Sequence, residues 1–150
     1  MKRILILSFY YQPDLGAGSF RCTALVEELA KTGASIHVIT TAPNRYESFT
    51  VKANESDTKD NISFNRISIP SHKSGMVDQI KAFYAFYRGA KKLAAINDYD
   101  LIFATSSRLF TALLGARISR KKRIPLYLDI RDLFVDTMSN ILSPALVWLA

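Results

Sequence analysis

The chain reads as an α/β protein: a Rossmann-like open parallel sheet with helices on both faces. Three observations predict this. Apolar runs of strand length recur at Ile4-Leu5-Ile6-Leu7, at Ser35 to Thr41 and at Asp100 to Ala104. Between them lie stretches with the apolar spacing of helices, and strands that alternate with helices form a parallel sheet through right-handed crossovers. The first run has no polar alternation, so it is apolar on both faces, as a central strand covered on two sides must be.

Each element follows from its residues. After the first strand come the turn-formers Pro13, Asp14, Gly16 and Gly18, and Ser19 opens a helix to about Thr32. Leu25 and Leu29 mark one face of that helix, with Glu27, Glu28 and Lys31 on the other, and Gly33 is its stop. Ser35 to Thr41 is a buried second strand rich in β-branched residues. Ala42 to Asn61 is polar and reads as a long loop. Ile62 to Ile69 reads as a third strand whose alternation slips by one residue, which predicts a bulge on an edge strand. Gly75 precedes a long helix from about Met76 to Asn97. With Phe83 as reference, Met76, Ile80, Tyr87, Ala90 and Ala94 form its predicted core stripe. Asp100 to Ala104 is the fourth strand, and Thr105-Ser106-Ser107 caps a helix reaching about Arg120. Ile124 to Asp129 is the fifth strand, and Ser143-Pro144 starts a terminal helix.

The chain's 150 residues make one domain, large enough to bury a core. Its formal charge of +7, from 20 basic and 13 acidic residues, favours anionic partners: phosphates, nucleic acid or an anionic membrane surface. One cysteine, Cys22, falls inside the first helix, so no disulfide framework exists and a reducing, cytoplasmic setting is expected. The two histidines, His37 and His72, lack metal-ligand spacing. Lys2-Arg3 followed by an apolar run resembles the start of a signal peptide, but Gln12-Pro13-Asp14 stands where a small-residue cleavage site should be. No segment reaches the roughly 20 apolar residues of a membrane span.

In an open parallel sheet a ligand sits beyond the carboxyl ends of the strands. The candidate site is therefore the loops Tyr10 to Ser19, Thr41 to Arg45, Thr105 to Arg108 and Arg131 to Asp136. Backbone N–H groups at the start of the first helix can take an anion or a sugar hydroxyl there. A dinucleotide fingerprint fails twice. Arg21 holds the third glycine position, and Thr40-Thr41-Ala42-Pro43 offers no acid for a ribose. No Walker-type loop is present, and Ser8-Phe9-Tyr10 excludes the acidic cluster of a receiver domain.

The segments ILILSFYYQPDLGAGSFRCTALVEELAKTG, HVITTAPNRY, DLIFATSS and IPLYLDIRDLF are similar in order and spacing to the N-terminal half of family-4 glycosyltransferases, with the B-type two-domain architecture. The combination YYxPxxGxGxxR, TTxPNRY and IRDL carries the resemblance, which spans essentially the whole chain. The closest subset extends lipid-linked precursors of bacterial surface polysaccharide, such as lipopolysaccharide and capsule.

The resemblance implies the acceptor-binding half of a retaining glycosyltransferase, with a sugar-nucleotide donor and a lipid-linked saccharide acceptor, no metal and no further cofactor. By position, Gly16, Ala17 and Gly18 give the glycine loop facing the donor phosphates and acceptor, and Arg21 is the basic residue just inside the first helix. Ser106, Arg131 and Asp132 complete the implied substrate-binding set. Arg131-Asp132 stands where many relatives have His-Asp. Ser107-Arg108 replaces a usual proline, and Phe134-Val135 replaces a common Trp-Pro. The family's Glu-x7-Glu motif belongs to a donor-binding domain not contained in these residues, so the expectation is half an enzyme, inactive alone. Glu47 and Glu55 share that spacing but lie in a polar loop.

Plainer readings stand beside these. Gly16 and Gly18 can shape a tight turn, Arg131 and Asp132 can pair, and Asp132 can cap a helical turn. Asp129, Asp132 and Asp136 do not have DxD spacing. The run Arg117, Arg120, Lys121, Lys122, Arg123 complements a helix dipole. On the long helix, Val77, Tyr84, Arg88 and Lys91 flank the stripe, with Lys81 and Lys92 near the back. Aromatic and apolar residues bordered by cations suit peripheral contact with an anionic membrane at its inner, cytoplasmic face, and packing of Tyr84 at the core margin is the alternative. Another nucleotide-binding α/β module and a non-catalytic anion- or nucleic-acid-binding domain are the rival functions. Nucleic acid lacks any recognisable motif here.

Overall fold

The computed structural model describes residues 1–43, 54–70, 76–106 and 109–130. Six strands and three helices follow in the order β1 (Arg3–Leu7), α1 (Ala17–Lys31), β2 (Ser35–Thr41), β3 (Ser56–Lys59), β4 (Ile62–Ile67), α2 (Met76–Ile96), β5 (Leu101–Thr105), α3 (Leu109–Lys122), β6 (Leu126–Asp129). They form one sheet in the order β3-β4-β2-β1-β5-β6. Every pairing is parallel except the β3–β4 hairpin. The expected Rossmann-like α/β fold is therefore present, with one antiparallel edge strand added.

Strand β1 lies at the centre because its residues are apolar on both faces. Ile4 and Ile6 pack with Cys22 and Val26 of α1 and with Ile36 and Val38. Leu5 and Leu7 pack on the opposite face with Phe86, Ala90 and Ala94 of α2 and Leu114 and Ile118 of α3. One helix thus covers one face and two cover the other, and this two-sided burial is what an unbroken apolar strand needs.

Several boundaries and two details differ from the sequence expectations. Helix α1 begins at Ala17, two residues before Ser19, so Gly18 lies in its first turn. It ends as expected at Gly33, whose φ of +79° suits a residue without Cβ and whose N–H donates to the Ala30 carbonyl. Strand β3 lies within the Ala42 to Asn61 stretch expected as loop, since all four of its residues are polar and exposed. Asp60, at φ 55°, turns the chain from β3 into β4.

Strand β4 is not an edge and carries no bulge. It pairs with β2 in unbroken register from Ile36↔Ile62 to Thr41↔Ile67. Its apparent slip arises because both faces are used: Ile62 and Phe64 pack on the α1 side, and Ile67 on the α2 side. Ile69 lies beyond the strand.

The core stripe of α2 keeps Ala90 and Ala94 as expected but is shifted elsewhere. Ile80 is exposed, while Ala82, Phe86, Ala90 and Ala94 are buried and Phe83 and Tyr87 only partly so. Three of the four buried positions hold alanine, where the helix runs close to the sheet, and Phe86 fills the remaining one. A Cβ on Gly89 would lie 3.0 Å from Ile67. Closeness, not hydrophobicity alone, selects the buried row. The helix expected after Ser143-Pro144 lies outside the described residues.

Candidate functional site

From β1 the chain winds outward to β2 and β4, then crosses back to β5 and β6. The winding reverses between β1 and β5, so the crevice beyond their carboxyl ends is the ligand position of this architecture. The start of α1 sits at that crevice. Gly16 is its N-cap and makes no side-chain cap, and the first turn holds no acid. The N–H groups of that turn have no carbonyl four residues back within the helix, and the helix dipole adds positive character there. An anion or a sugar hydroxyl is the chemical complement of such an end.

The loop that delivers α1 is fixed from both sides of the sheet. Phe9 turns towards α2, where its ring meets Phe83 at 4.9 Å and Phe86 at 5.2 Å between centroids. Its carbonyl accepts a 2.6 Å hydrogen bond from the Thr41 hydroxyl at the end of β2. Tyr11 turns to the other face and packs on Phe64 at 5.5 Å. Burial pushes the Tyr11 hydroxyl up to about 12, so it stays protonated. The Ser8 hydroxyl donates to the Tyr10 carbonyl, and the Asp14 N–H donates to the Tyr11 carbonyl. The Gln12–Pro13 peptide is cis. Phe9 and Thr41 are thus the residues that hold the glycine loop; Thr41 opens one of the loops singled out from the sequence, whereas Phe9 was not among them. The available signal was Phe9, which continues the Leu5, Leu7 alternation two residues past β1.

Arg21 and Asp129 form the clearest charge pair at this edge. Arg21 Nη2 donates to Asp129 Oδ1 at 2.7 Å, joining α1 to the end of β6. The Asp129 side chain is buried, whereas that of Arg21 is 63% exposed. A guanidinium carries five N–H donors, so Arg21 keeps donors facing solvent after pairing. Sequence reasoning singled out Arg21 but did not see that Asp129 holds it.

Gly16 and Gly18 are partly exposed and Ala17 is exposed. Ser106 is buried, and its N–H donates to the Asp129 carbonyl at 2.9 Å. The structure therefore brings Gly16, Ala17, Gly18 and Arg21 together on one helix end, and ties Ser106 to the same Asp129 that holds Arg21. Arg131 and Asp132 lie outside the described residues, as do Asn44, Arg45, Ser107 and Arg108. Two hydroxyls in first helical turns at this edge, Ser19 Oγ in α1 and Thr111 Oγ1 in α3, are buried without a hydrogen-bond partner among the described residues.

Comparison with known proteins yields no matching family model and no matching curated protein. Solved structures do match. The sucrose-phosphate synthase of Thermosynechococcus elongatus superposes with a TM-score of 0.68 at 13% identity, over 97% of this chain and 37% of that one. The calicheamicin glycosyltransferase CalG4 gives 0.55 at 16% identity, over 93% of this chain and 35% of that one. The C-terminal domain of the PF1911 hydrogenase from Pyrococcus furiosus gives 0.57 at 11% identity, over 86% and 91%. The fold is shared with a domain of each of these proteins, and the chain spans little more than a third of the length of the sucrose-phosphate synthase and of CalG4. The hydrogenase domain shows that the same fold also serves other proteins.

Proposed function

We propose that this chain forms the acceptor-binding part of a glycosyltransferase that takes its sugar from a nucleotide donor. The observation that carries the reading is the start of α1. With no side-chain cap and no acid in its first turn, it is presented at the switch between β1 and β5. The fold shared with two glycosyltransferases supports it, as does the motif set YYxPxxGxGxxR, TTxPNRY and IRDL.

In this reading the N–H groups of Ala17, Gly18 and Ser19 meet oxygens of the donor diphosphate or of the acceptor saccharide. The exposed donors of Arg21 stabilise the negative charge that grows on the leaving diphosphate, in place of a metal. Asp129 holds Arg21 in position, and Ser106, Arg131 and Asp132 complete the acceptor wall. Transfer retains the anomeric configuration. The acceptor is a lipid-linked saccharide of a surface polysaccharide such as lipopolysaccharide or capsule, which places the work at the cytoplasmic face of a membrane.

Gly16→Val tests the reading in the full-length protein. Gly16 is extended, at φ 160° and ψ 154°, and not left-handed. The substitution should therefore leave the melting temperature nearly unchanged while weakening sugar-nucleotide or acceptor binding at least tenfold, measured by calorimetry. Equal losses of stability and affinity would assign Gly16 to turn formation alone.

A further inference from the structure

Away from the strand ends, α2 and α3 enclose a groove of about 840 Å³ on the outer surface of their layer. Its cationic lining is Arg88, Lys91 and Lys92 from α2 and Arg117, Lys121 and Lys122 from α3, and among the described residues no acid lines it. Among the described residues, Lys122 alone of the six forms a salt bridge, to Asp98 at 3.3 Å. The guanidinium groups lie over aromatic rings, Arg88 5.7 Å from the Tyr84 centroid and Arg117 5.8 Å from that of Tyr87. Arg117 also donates to the Tyr87 hydroxyl at 2.9 Å. Stacking holds these two cations near the groove without neutralising them.

The N-terminal parts of the same two helices carry a different surface. Val77, Ile80 and Tyr84 on α2 are 63%, 59% and 61% exposed, and Phe110 and Leu113 on α3 are 52% and 40% exposed. Phe83 and Phe110 meet at 5.5 Å between centroids, so these parts of the helices adjoin. Both helices return across the sheet from its carboxyl edge, so this apolar area lies nearer the crevice and the basic groove farther from it.

We infer that the α2–α3 face is a docking surface for an anionic lipid bilayer. The groove takes phosphate headgroups, and Val77, Ile80, Tyr84, Phe110 and Leu113 enter the interfacial zone. Charge complementarity commits the surface to an anionic partner. The exposed aliphatic residues favour a bilayer over nucleic acid, because Val77, Ile80 and Leu113 have no complement on a phosphodiester backbone, whereas an acyl boundary buries them. The pattern on α2 was legible as Val77, Tyr84, Arg88 and Lys91; the fold adds the whole contribution of α3. The inference stands on this face's own residues and not on the transferase reading, so either can fail without the other.

The test is cosedimentation of the full-length protein with vesicles of phosphatidylcholine alone, or of phosphatidylcholine with phosphatidylglycerol. Binding is expected only with phosphatidylglycerol, and it should fall as salt shortens the Debye length, about 10 Å at 0.1 M. Arg88→Glu with Lys91→Glu should weaken it at least tenfold. Lys31→Glu with Lys59→Glu, which changes net charge equally on other elements, should leave most of it. Tyr84→Ser with Phe110→Ser should weaken the salt-resistant part, with circular dichroism confirming that each variant is folded. Equal loss in the two charge variants, equal binding to neutral vesicles, or binding of a single-stranded oligonucleotide but of no vesicle would overturn the inference.

Discussion

His37 occupies a buried polar position on the α2 side of the sheet, and its protonation state follows from its neighbours. Nε2 lies 2.7 Å from Asn65 Oδ1, whose amide nitrogen in turn donates to Ser56 Oγ. A carbonyl oxygen only accepts, so Nε2 carries the hydrogen. Nδ1 then accepts from the Tyr99 hydroxyl at 2.6 Å. Burial lowers the pKa of His37 below its ordinary 6.5, and the hydrogen bond to Asn65 opposes this only in part. The unfolded chain therefore binds this proton more readily than the folded one. The stability it contributes is complete above about pH 6.5 and is lost as pH falls from there through the folded value. Urea denaturation at pH 7.5 and pH 5.5 should show the loss, and His37→Gln should flatten the dependence although it costs stability at neutral pH. Parallel pH profiles for wild type and variant would refute it. None of this was legible in the sequence. His37 read only as a histidine without metal spacing, because its partners lie 28 and 62 residues away. Arg21 is the same case at the candidate site: its residue type pointed to an anion, but the carboxylate that positions it lies 108 residues further along.

Elements were legible where one local pattern determines them, and misread where a neighbour's shape decides. Strands β1 and β2 and helix α1 stood out because apolar run, glycine loop and helix period follow each other without a break. Strand β3 gave no signal, since Ser56, Asp57, Thr58 and Lys59 are all polar and exposed; an edge strand of that kind resists pairing with other chains. Helix α2 matches its expected span to within one residue, and Ala90 and Ala94 of its expected stripe are buried, but Ile80 is exposed and Ala82 and Phe86 are buried instead. Helix α3 is constrained by its closeness to the sheet. A Cβ built on Gly115 would lie 2.8 Å from the Ala104 Cβ on β5. Gly115→Ala should gain about 1 kcal/mol of helix propensity and lose about 1–3 kcal/mol to overpacking. The net expectation is a destabilised protein, measured by urea midpoint. Ala104→Gly in the same chain should relieve the clash, so the double variant should be more stable than the sum of the single effects implies. Strict additivity would mean that the backbone shifts to absorb the methyl group.

At the scale of the molecule, the strand order places the reversal between β1 and β5, the kind of point at which the alternation of strands and helices predicts a ligand crevice. Its lining was less legible, because loop residues are placed by contacts with other elements: Phe9 by α2, and its carbonyl by Thr41. Among the described residues no helix is long and apolar enough to cross a membrane. The geometry also bears on what these residues do by themselves. Sugar transfer requires donor and acceptor held in attack geometry, and positioning of that kind supplies about 7–11 kcal/mol of barrier lowering in well-oriented systems. One α/β sheet offers one wall of such a cleft. The start of α1 can still hold an anion weakly, since its N–H groups need no second domain. The 150-residue chain alone should therefore bind a nucleoside diphosphate weakly and transfer no sugar. The assay incubates it with a panel of sugar nucleotides and lipid-linked saccharide acceptors and measures released nucleoside diphosphate. Turnover above the buffer blank that disappears on Arg131→Ala would show that these residues form a complete enzyme. Weak binding that Gly16→Val removes, with no turnover, is the outcome expected of a single wall.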